Sequence, residues 1–310
     1  MSTGMAMLGG LVLFVFGVDL LARALREAGG DRLRDVLHRA SANRIAGVGA
    51  GVGATIALDS SSVVIIMLVA IVDAGLIPFA HALPVVLGAN IGTTFSSQLF
   101  AWNVDAFAPV PMAIGFLLGA LARGEATKRW GSVLLGLGMV LFGLHLIGDA
   151  AAPLAKRPEV TAWLRRLESP WLGVLAGAAV TVAIQSSSAT LGIVIALAGG
   201  GLITLPAGVA IMLGAEIGTC ADTLVAVAGR SRAAVRVGLF HLLFNIASVL
   251  LGVALVEALA SFGRATANNT GQQIANAHVL FNVAGALVML PFVRTAARAL
   301  DAILPERATA

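Results

Sequence analysis

Two serine triplets stand in matching surroundings, Asp59-Ser60-Ser61-Ser62 and Gln185-Ser186-Ser187-Ser188, 126 residues apart. Serine hydroxyls are rotatable donors that can also accept or coordinate. If each triplet opens a helix after a break, the unpaired N–H groups and the positive end of the helix dipole join them. Ser60, Ser61, Ser62, Ser186, Ser187 and Ser188 would then offer two converging sets of donors to a tetrahedral oxyanion. The carbonyls at the broken ends, with the Gln185 side-chain oxygen, suit a hard cation such as sodium. The plainer alternative is that such serines bond back to preceding helix carbonyls. Recurrence at equivalent positions of a duplicated sequence favours a site.

The duplication is extensive. Residues 47–93 and 173–219 align without a gap, and Gly47-Val48, Gly51, Thr55, Ala57, Gly75-Leu76-Ile77, Gly88-Ala89 and Ile91-Gly92-Thr93 each meet an identical residue. The same offset lays Gly10, Phe16-Gly17 and Leu20 over Gly136, Phe142-Gly143 and Leu146. A duplicated polar break in apolar sequence points to a transporter site built from two halves.

The elements that must position these residues are membrane helices. The chain is 58% hydrophobic and 12% charged, about half the charge of an average soluble domain. Apolar runs such as Met5–Leu21, Val133–Ile147 and Val235–Val256 fit a ~30 Å hydrocarbon layer. The 36 glycines allow close helix packing where lipid supplies no hydrophobic drive. Cys220 is the one cysteine, which excludes an intramolecular disulfide and multi-thiolate metal sites. A net charge of +4 carried in loops reads as topogenic rather than as nucleic-acid binding. The first apolar run lacks a basic leader, so no cleavable signal peptide is expected.

The pattern predicts full-length helices at about 5–25, 81–101, 107–123, 131–149, 206–229, 234–260 and 275–293. Shorter apolar pieces at 46–58 and 61–75 meet at the first triplet, and others at 171–184 and 188–201 meet at the second. At 13–15 residues they are short for a crossing and read as re-entrant hairpins. The expectation is an all-α, polytopic membrane protein of seven full crossings plus two hairpins. An odd number of crossings separates equivalent positions, so the repeats are inverted: 1–126 the first (hairpin 46–75), 127–260 the second (hairpin 171–201). Residues 261–310 add a C-terminal transmembrane helix and a short cytoplasmic tail. Fifteen basic residues fall on one side (Arg23, Arg26, Arg32, Arg34, Arg39, Arg44, Arg123, Lys128, Arg129, Arg230, Arg232, Arg236, Arg294, Arg298, Arg307) and five on the other (Lys156, Arg157, Arg165, Arg166, Arg264). The richer side is cytoplasmic, which puts the N-terminus outside and the C-terminus inside. The Arg23–Arg44 stretch reads as a solvated cytoplasmic connector, and the four tryptophans as interfacial anchors.

Thr181-Val-Ala-Ile-Gln185-Ser-Ser-Ser-Ala-Thr190, with Gly88-Ala-Asn90-Ile-Gly-Thr93-Thr94, resembles the sodium/phosphate cotransporter family. That family comprises bacterial Na/Pi cotransporters and animal type II sodium-dependent phosphate transporters. The resemblance covers about residues 1–295. It implies a secondary active transporter, not an enzyme, performing sodium-coupled symport of inorganic phosphate by alternating access. Sodium is then the coupling ion, with no other cofactor and no transition metal. Carried over by position, the two triplets match the substrate and sodium sites. Gln185, Asn90, Thr93 and Thr94 match the cation side, and Glu216 and Thr219 stand in the second copy of the helix motif.

Two positions depart from the family pattern. Asp59 replaces a glutamine, and Gly214-Ala-Glu216-Ile-Gly-Thr219-Cys220 has Glu216 where the first copy has Asn90; Asp222 follows half a turn later. A carboxylate mid-bilayer costs ~2.5–3.5 kcal/mol on insertion scales, so Asp59 and Glu216 are expected to hold sodium or carry a proton. His241-Leu-Leu-Phe-Asn245 and His278-Val-Leu-Phe-Asn282 each place His and Asn on one helix face, more in keeping with helix–helix hydrogen bonds than with a site. The competing readings are a passive or proton-coupled transporter or channel for a different small oxyanion, an intramembrane serine hydrolase using Ser187 and His241, and a phosphate sensor. A bacterial inner membrane is the expected location, the lipid bilayer the surrounding partner, and a homodimer remains open.

Overall fold

The computed structural model describes residues 3–40, 43–102 and 107–306, apart from the side chains of 29–35 and 38–40. These residues form fifteen α-helices joined by turns and two short 3-10 segments. In chain order they are α1 (Thr3–Ala40), α2 (Arg44–Leu58), α3 (Ser61–Asp73), α4 (Phe79–Ala101), α5 (Pro109–Leu121), α6 (Glu125–Leu154), α7 (Pro158–Leu164) and α8 (Pro170–Ile184). Then follow α9 (Ser187–Gly199), α10 (Leu205–Gly218), α11 (Cys220–Ala226), α12 (Arg232–Ala254), α13 (Val256–Thr266), α14 (Thr270–Met289) and α15 (Val293–Ile303). No strand occurs among the described residues.

Five stretches are long and apolar enough to cross a membrane: Thr3–Ala28, Glu125–Leu154, Leu205–Ala226, Arg232–Ala254 and Thr270–Ile303. A sixth is added if Pro158–Glu168 and Pro170–Ile184, bent by 98°, act as one span. The chain is therefore a polytopic all-α membrane protein. Two of the seven expected crossings are not among the five. The segment expected at 107–123 is a helix of 13 residues, too short to span. α4 has 23 residues, but Asn90, Thr93, Thr94, Ser96, Ser97 and Gln98 lower its mean hydropathy. It can carry them because most of the helix is enclosed by neighbours, with Asn90, Thr93, Thr94, Ser96 and Ser97 buried. The expected cytoplasmic connector also differs, since α1 runs on as helix to Ala40. The side chains of Arg32, Arg34 and Arg39, and all of Arg307, lie outside the described residues.

Glycine sets how the helices meet. α1 packs along α6 with Gly10 against Gly143 and Gly17 against Gly136, so the residue numbers run in opposite senses and the two helices are antiparallel. Each of these glycines is also the 126-residue counterpart of another in the set. α2 packs on α4 and α8 on α10 by one repeated contact. A Cβ on Gly88 would overlap the Val48 carbonyl, and one on Gly214 the Val174 carbonyl; Gly51 and Gly177 face Val85 and Ile211 in the same way. Backbones this close gain van der Waals contact that lipid cannot replace.

Two cores result. One gathers Phe14, Phe100, Leu191, Met212, Leu213 and Ile274, and the other Ile65, Leu68, Leu83, Leu87, Val237 and Leu300. Large apolar side chains such as Phe116, Leu121, Val225 and Leu251 face outward, as a lipid-facing surface requires. Trp102, Trp130, Trp163 and Trp171 are all more than half exposed, near helix ends.

Candidate functional site

Each serine triplet begins a helix at a left-handed break. Asp59 (φ 49°) ends α2 and Gln185 (φ 58°) ends α8; they are the two non-glycine residues with positive φ among the described residues. That conformation costs an L-residue about 1–2 kcal/mol, and its recurrence at one repeat position marks it as selected. It reverses the chain so that the next residue can cap the following helix. Ser60 Oγ accepts from Val63 N–H at 3.3 Å, and Ser186 Oγ accepts from Ala189 N–H at 3.1 Å. Capping engages these oxygens and leaves each hydroxyl proton free to donate. Ser61 and Ser188 are buried, Ser62 and Ser187 half-buried, and Gln185 is exposed.

The second arm of each pair packs on the other half. α3 contacts α11, and α9 contacts α4; since α11 repeats the last part of α4, the two contacts correspond. Ser96 on α4 donates to the Asp59 carboxylate. Asp222 on α11, the counterpart of Ser96, lies beside Ser62 of the first triplet. Thr181 donates to Thr190 at 2.9 Å, and Thr190 to the Ser186 carbonyl at 3.0 Å, bracing the second break. At the first break the counterpart of Thr190 is Val64, and Thr55 Oγ1 is buried with no partner.

The helix-motif residues sit behind the breaks. Thr93 and Thr219 both return a hydrogen bond to the carbonyl four residues back, at 3.2 and 3.0 Å, and Thr94 bonds the Ile91 carbonyl at 2.8 Å. Their hydroxyl protons are spent on the helix, leaving oxygen lone pairs for any cation. Asn90 is 2% exposed, and its Nδ2 has no partner.

Glu216, its counterpart, is held differently. His278 Nε2 lies 2.7 Å and Asn282 Nδ2 2.8 Å from the same oxygen, Oε1. His278 Nδ1 is 2.8 Å from Ser97 Oγ, so this ring joins α4 of the first half to α10 of the second. His241 turns Nδ1 to Thr223 at 3.1 Å and Nε2 to Cys220 Sγ at 4.0 Å, and Asn245 donates to the same sulfur at 3.3 Å. Both His/Asn pairs therefore join helices. The Ser187–His241 dyad that a hydrolase would need is not formed.

Three features escaped sequence reading: the roles of Ser96 and Ser97, the approach of Ser62 to Asp222 across the halves, and the carboxamide cluster of Gln98, Gln272 and Asn276. In that cluster Gln98 reaches Asn276 at 3.0 Å and Gln272 reaches Gln98 at 2.7 Å. Polar residues continuing half a turn past Thr94 were the available signal. Among the described residues no group of three or more His, Cys, Asp and Glu could hold a metal ion.

The profile of the Na+/Pi-cotransporter family matches residues 13–149 and 153–287. The protein YqeW of Bacillus subtilis, described as uncharacterized, is 29% identical over 303 residues, which span 96% of this chain and 97% of that one. YjbB of Escherichia coli K12, named as a candidate inorganic phosphate export protein, is 28% identical over 307 residues. These are 99% of this chain but 56% of that one, so the chain spans little more than half the length of this relative. Sodium-dependent phosphate transport protein 2A of Rattus norvegicus is 35% identical over 97 residues, 31% of this chain and 15% of that one. No solved structure matches the chain.

Proposed function

Since the chain belongs to the Na+/Pi-cotransporter family, we propose that it is a secondary transporter moving inorganic phosphate with sodium by alternating access. Phosphate is bound by Ser60, Ser61, Ser62, Ser186, Ser187 and Ser188. Sodium is bound by Gln185, Asp59, Asn90, Thr93, Thr94, Glu216 and Thr219. The two broken helix pairs act as re-entrant hairpins, α2–α3 from the cytoplasm and α8–α9 from outside, in a bacterial inner membrane.

The observation that carries this reading is the matched pair of breaks at Asp59 and Gln185, each followed by a serine cap. Further support comes from α1 and α6, which are repeat counterparts yet antiparallel, the relation expected of halves inverted about an axis in the membrane plane. The exchange of α3 onto α11 and α9 onto α4 supports a pocket shared by both halves. Helix N-termini favour the anion. Among the described residues no lysine or arginine pairs with Asp59, Glu216 or Asp222, so a dianion entering here needs cations to accompany it. Sodium supplies that charge.

Phosphate flux in proteoliposomes, with sodium and proton gradients imposed separately, tests the reading. Sodium should accelerate phosphate entry, and Ser187→Ala or Gln185→Ala should abolish the coupled flux while the protein stays folded. Flux indifferent to both gradients would make it a channel, and normal transport by both variants would remove the site. Because the Escherichia coli relative is named for export, both directions should be measured. Net direction follows the gradients.

A further inference from the structure

Glu216 is 5% exposed, and its two side-chain donors among the described residues, His278 and Asn282, both reach Oε1. Among the described residues no donor reaches Oε2, and no lysine or arginine pairs with the carboxylate. With Oε1 saturated and Oε2 open, the carboxylate keeps a negative oxygen that a cation can complete. We propose that His278 is a positioning residue: it fixes Glu216 so that Oε2 faces a coupling sodium ion, and it links that ion's site to both halves through Ser97. The inference rests on the sodium-coupled reading above and assigns its cation side.

The hydrogen-bond pattern selects one tautomer. A carboxylate accepts, so the ring proton facing Glu216 Oε1 sits on Nε2, and in the neutral ring Nδ1 then accepts the Ser97 hydroxyl proton. Asn282 supplies the second donor and is itself steadied by a 3.3 Å contact to the His278 carbonyl. Carboxylate ligands are commonly oriented by such outer partners, whose loss weakens cation binding without touching the ion. The first half has no equivalent arrangement, because Asn90 stands at that position and its unpaired atom is the donor Nδ2. The sodium site is thus one-sided, stronger in the second half. It depends on α4 through Ser97, so movement of α4 against α10 would loosen the ion at the step where it must leave.

Two conservative substitutions separate the ring's two contacts. In His278→Gln the side-chain amide falls near the place of Nε2 and keeps the donor to Glu216. In His278→Asn it falls near the place of Nδ1 and loses that donor. Sodium-induced thermal stabilisation of the purified protein, with choline as control and no phosphate present, gives the half-saturating sodium concentration. His278→Asn should raise it about tenfold or more, and His278→Gln should hold it within about threefold. Ser97→Ala, a small change that leaves packing intact, should raise it about threefold and decides the matter if His278→Asn does not fold. Equal midpoints for wild type, His278→Asn and Ser97→Ala would overturn the proposal, as would a wild type that sodium does not stabilise. Absence of phosphate flux with these sodium shifts intact would instead overturn the phosphate assignment alone.

Discussion

Ser96 donates to the Asp59 carboxylate within the first half, whereas its repeat counterpart Asp222 lies beside Ser62 across the two halves. Serine and carboxylate have changed places between the copies. Both carboxylates therefore stand beside hydroxyls of the first half, Asp59 at its own break and Asp222 on α11 of the second half.

Asp59→Asn keeps an acceptor for Ser96 and removes the charge. We expect half-saturating sodium to rise about fivefold to tenfold, with the phosphate KM changed less than about twofold. Flux measured against sodium and against phosphate checks this. A change confined to the phosphate dependence would place Asp59 on the anion side.

Gly88→Ala and Gly214→Ala should each destabilise the protein by about 1–3 kcal/mol, because each new Cβ meets a backbone carbonyl that cannot turn away. The two costs should be alike, since the contacts are copies. Gly119→Ala, with nothing within 4 Å of its added Cβ, should be neutral or stabilising by about 0.5–1 kcal/mol. Unfolding midpoints in detergent compare the three.

Thr55→Val removes a buried hydroxyl that has no partner, so it should be neutral or stabilising by up to about 1 kcal/mol. Thr181→Val breaks the bond to Thr190 and should cost about 1–2 kcal/mol. The same substitution at repeat-equivalent positions should thus differ in sign.

Arg236 on α12 has a 5% exposed side chain and is held by Asp301, by Glu306 at 2.8 Å and by the Leu304 carbonyl at 2.9 Å, above the Phe79 ring. Asp301 and Glu306 are 51% and 68% exposed. Removing both carboxylates leaves a buried cation, while removing the arginine returns two acids to water. Asp301→Asn with Glu306→Gln should therefore lower the melting temperature more than Arg236→Met.

Nearby, the Ser231 N–H and hydroxyl, with Arg230 beside them, hold Asp73 below the usual carboxylate range. A depressed acid stabilises the fold above its unfolded value, about 4, and loses that contribution as pH falls through the lowered value. Asp73→Asn should consequently melt lower than wild type at pH 7, with the difference shrinking toward pH 3.

The all-helical class, the four short helices to within two residues and the position of each break were legible in the sequence. Apolar run length and a duplicated Ser-rich interruption are local signals, and the repeat let one copy vouch for the other. The extension of α1 to Ala40 and the shortness of α5 were not legible. Charge in the first and hydropathy in the second say little about where a helix stops. Which partner each polar group takes was decided by tertiary structure alone. Sequence spacing puts His278 and Asn282 on one face of α14, but only the crossing of α14 with α4 and α10 brings Ser97 and Glu216 to the two sides of one imidazole. Likewise, residues 126 apart share a backbone role because local sequence sets it. Their side chains differ in partner because the neighbours that meet them, Val64 or Thr190, Ser96 or Asp222, come from different copies.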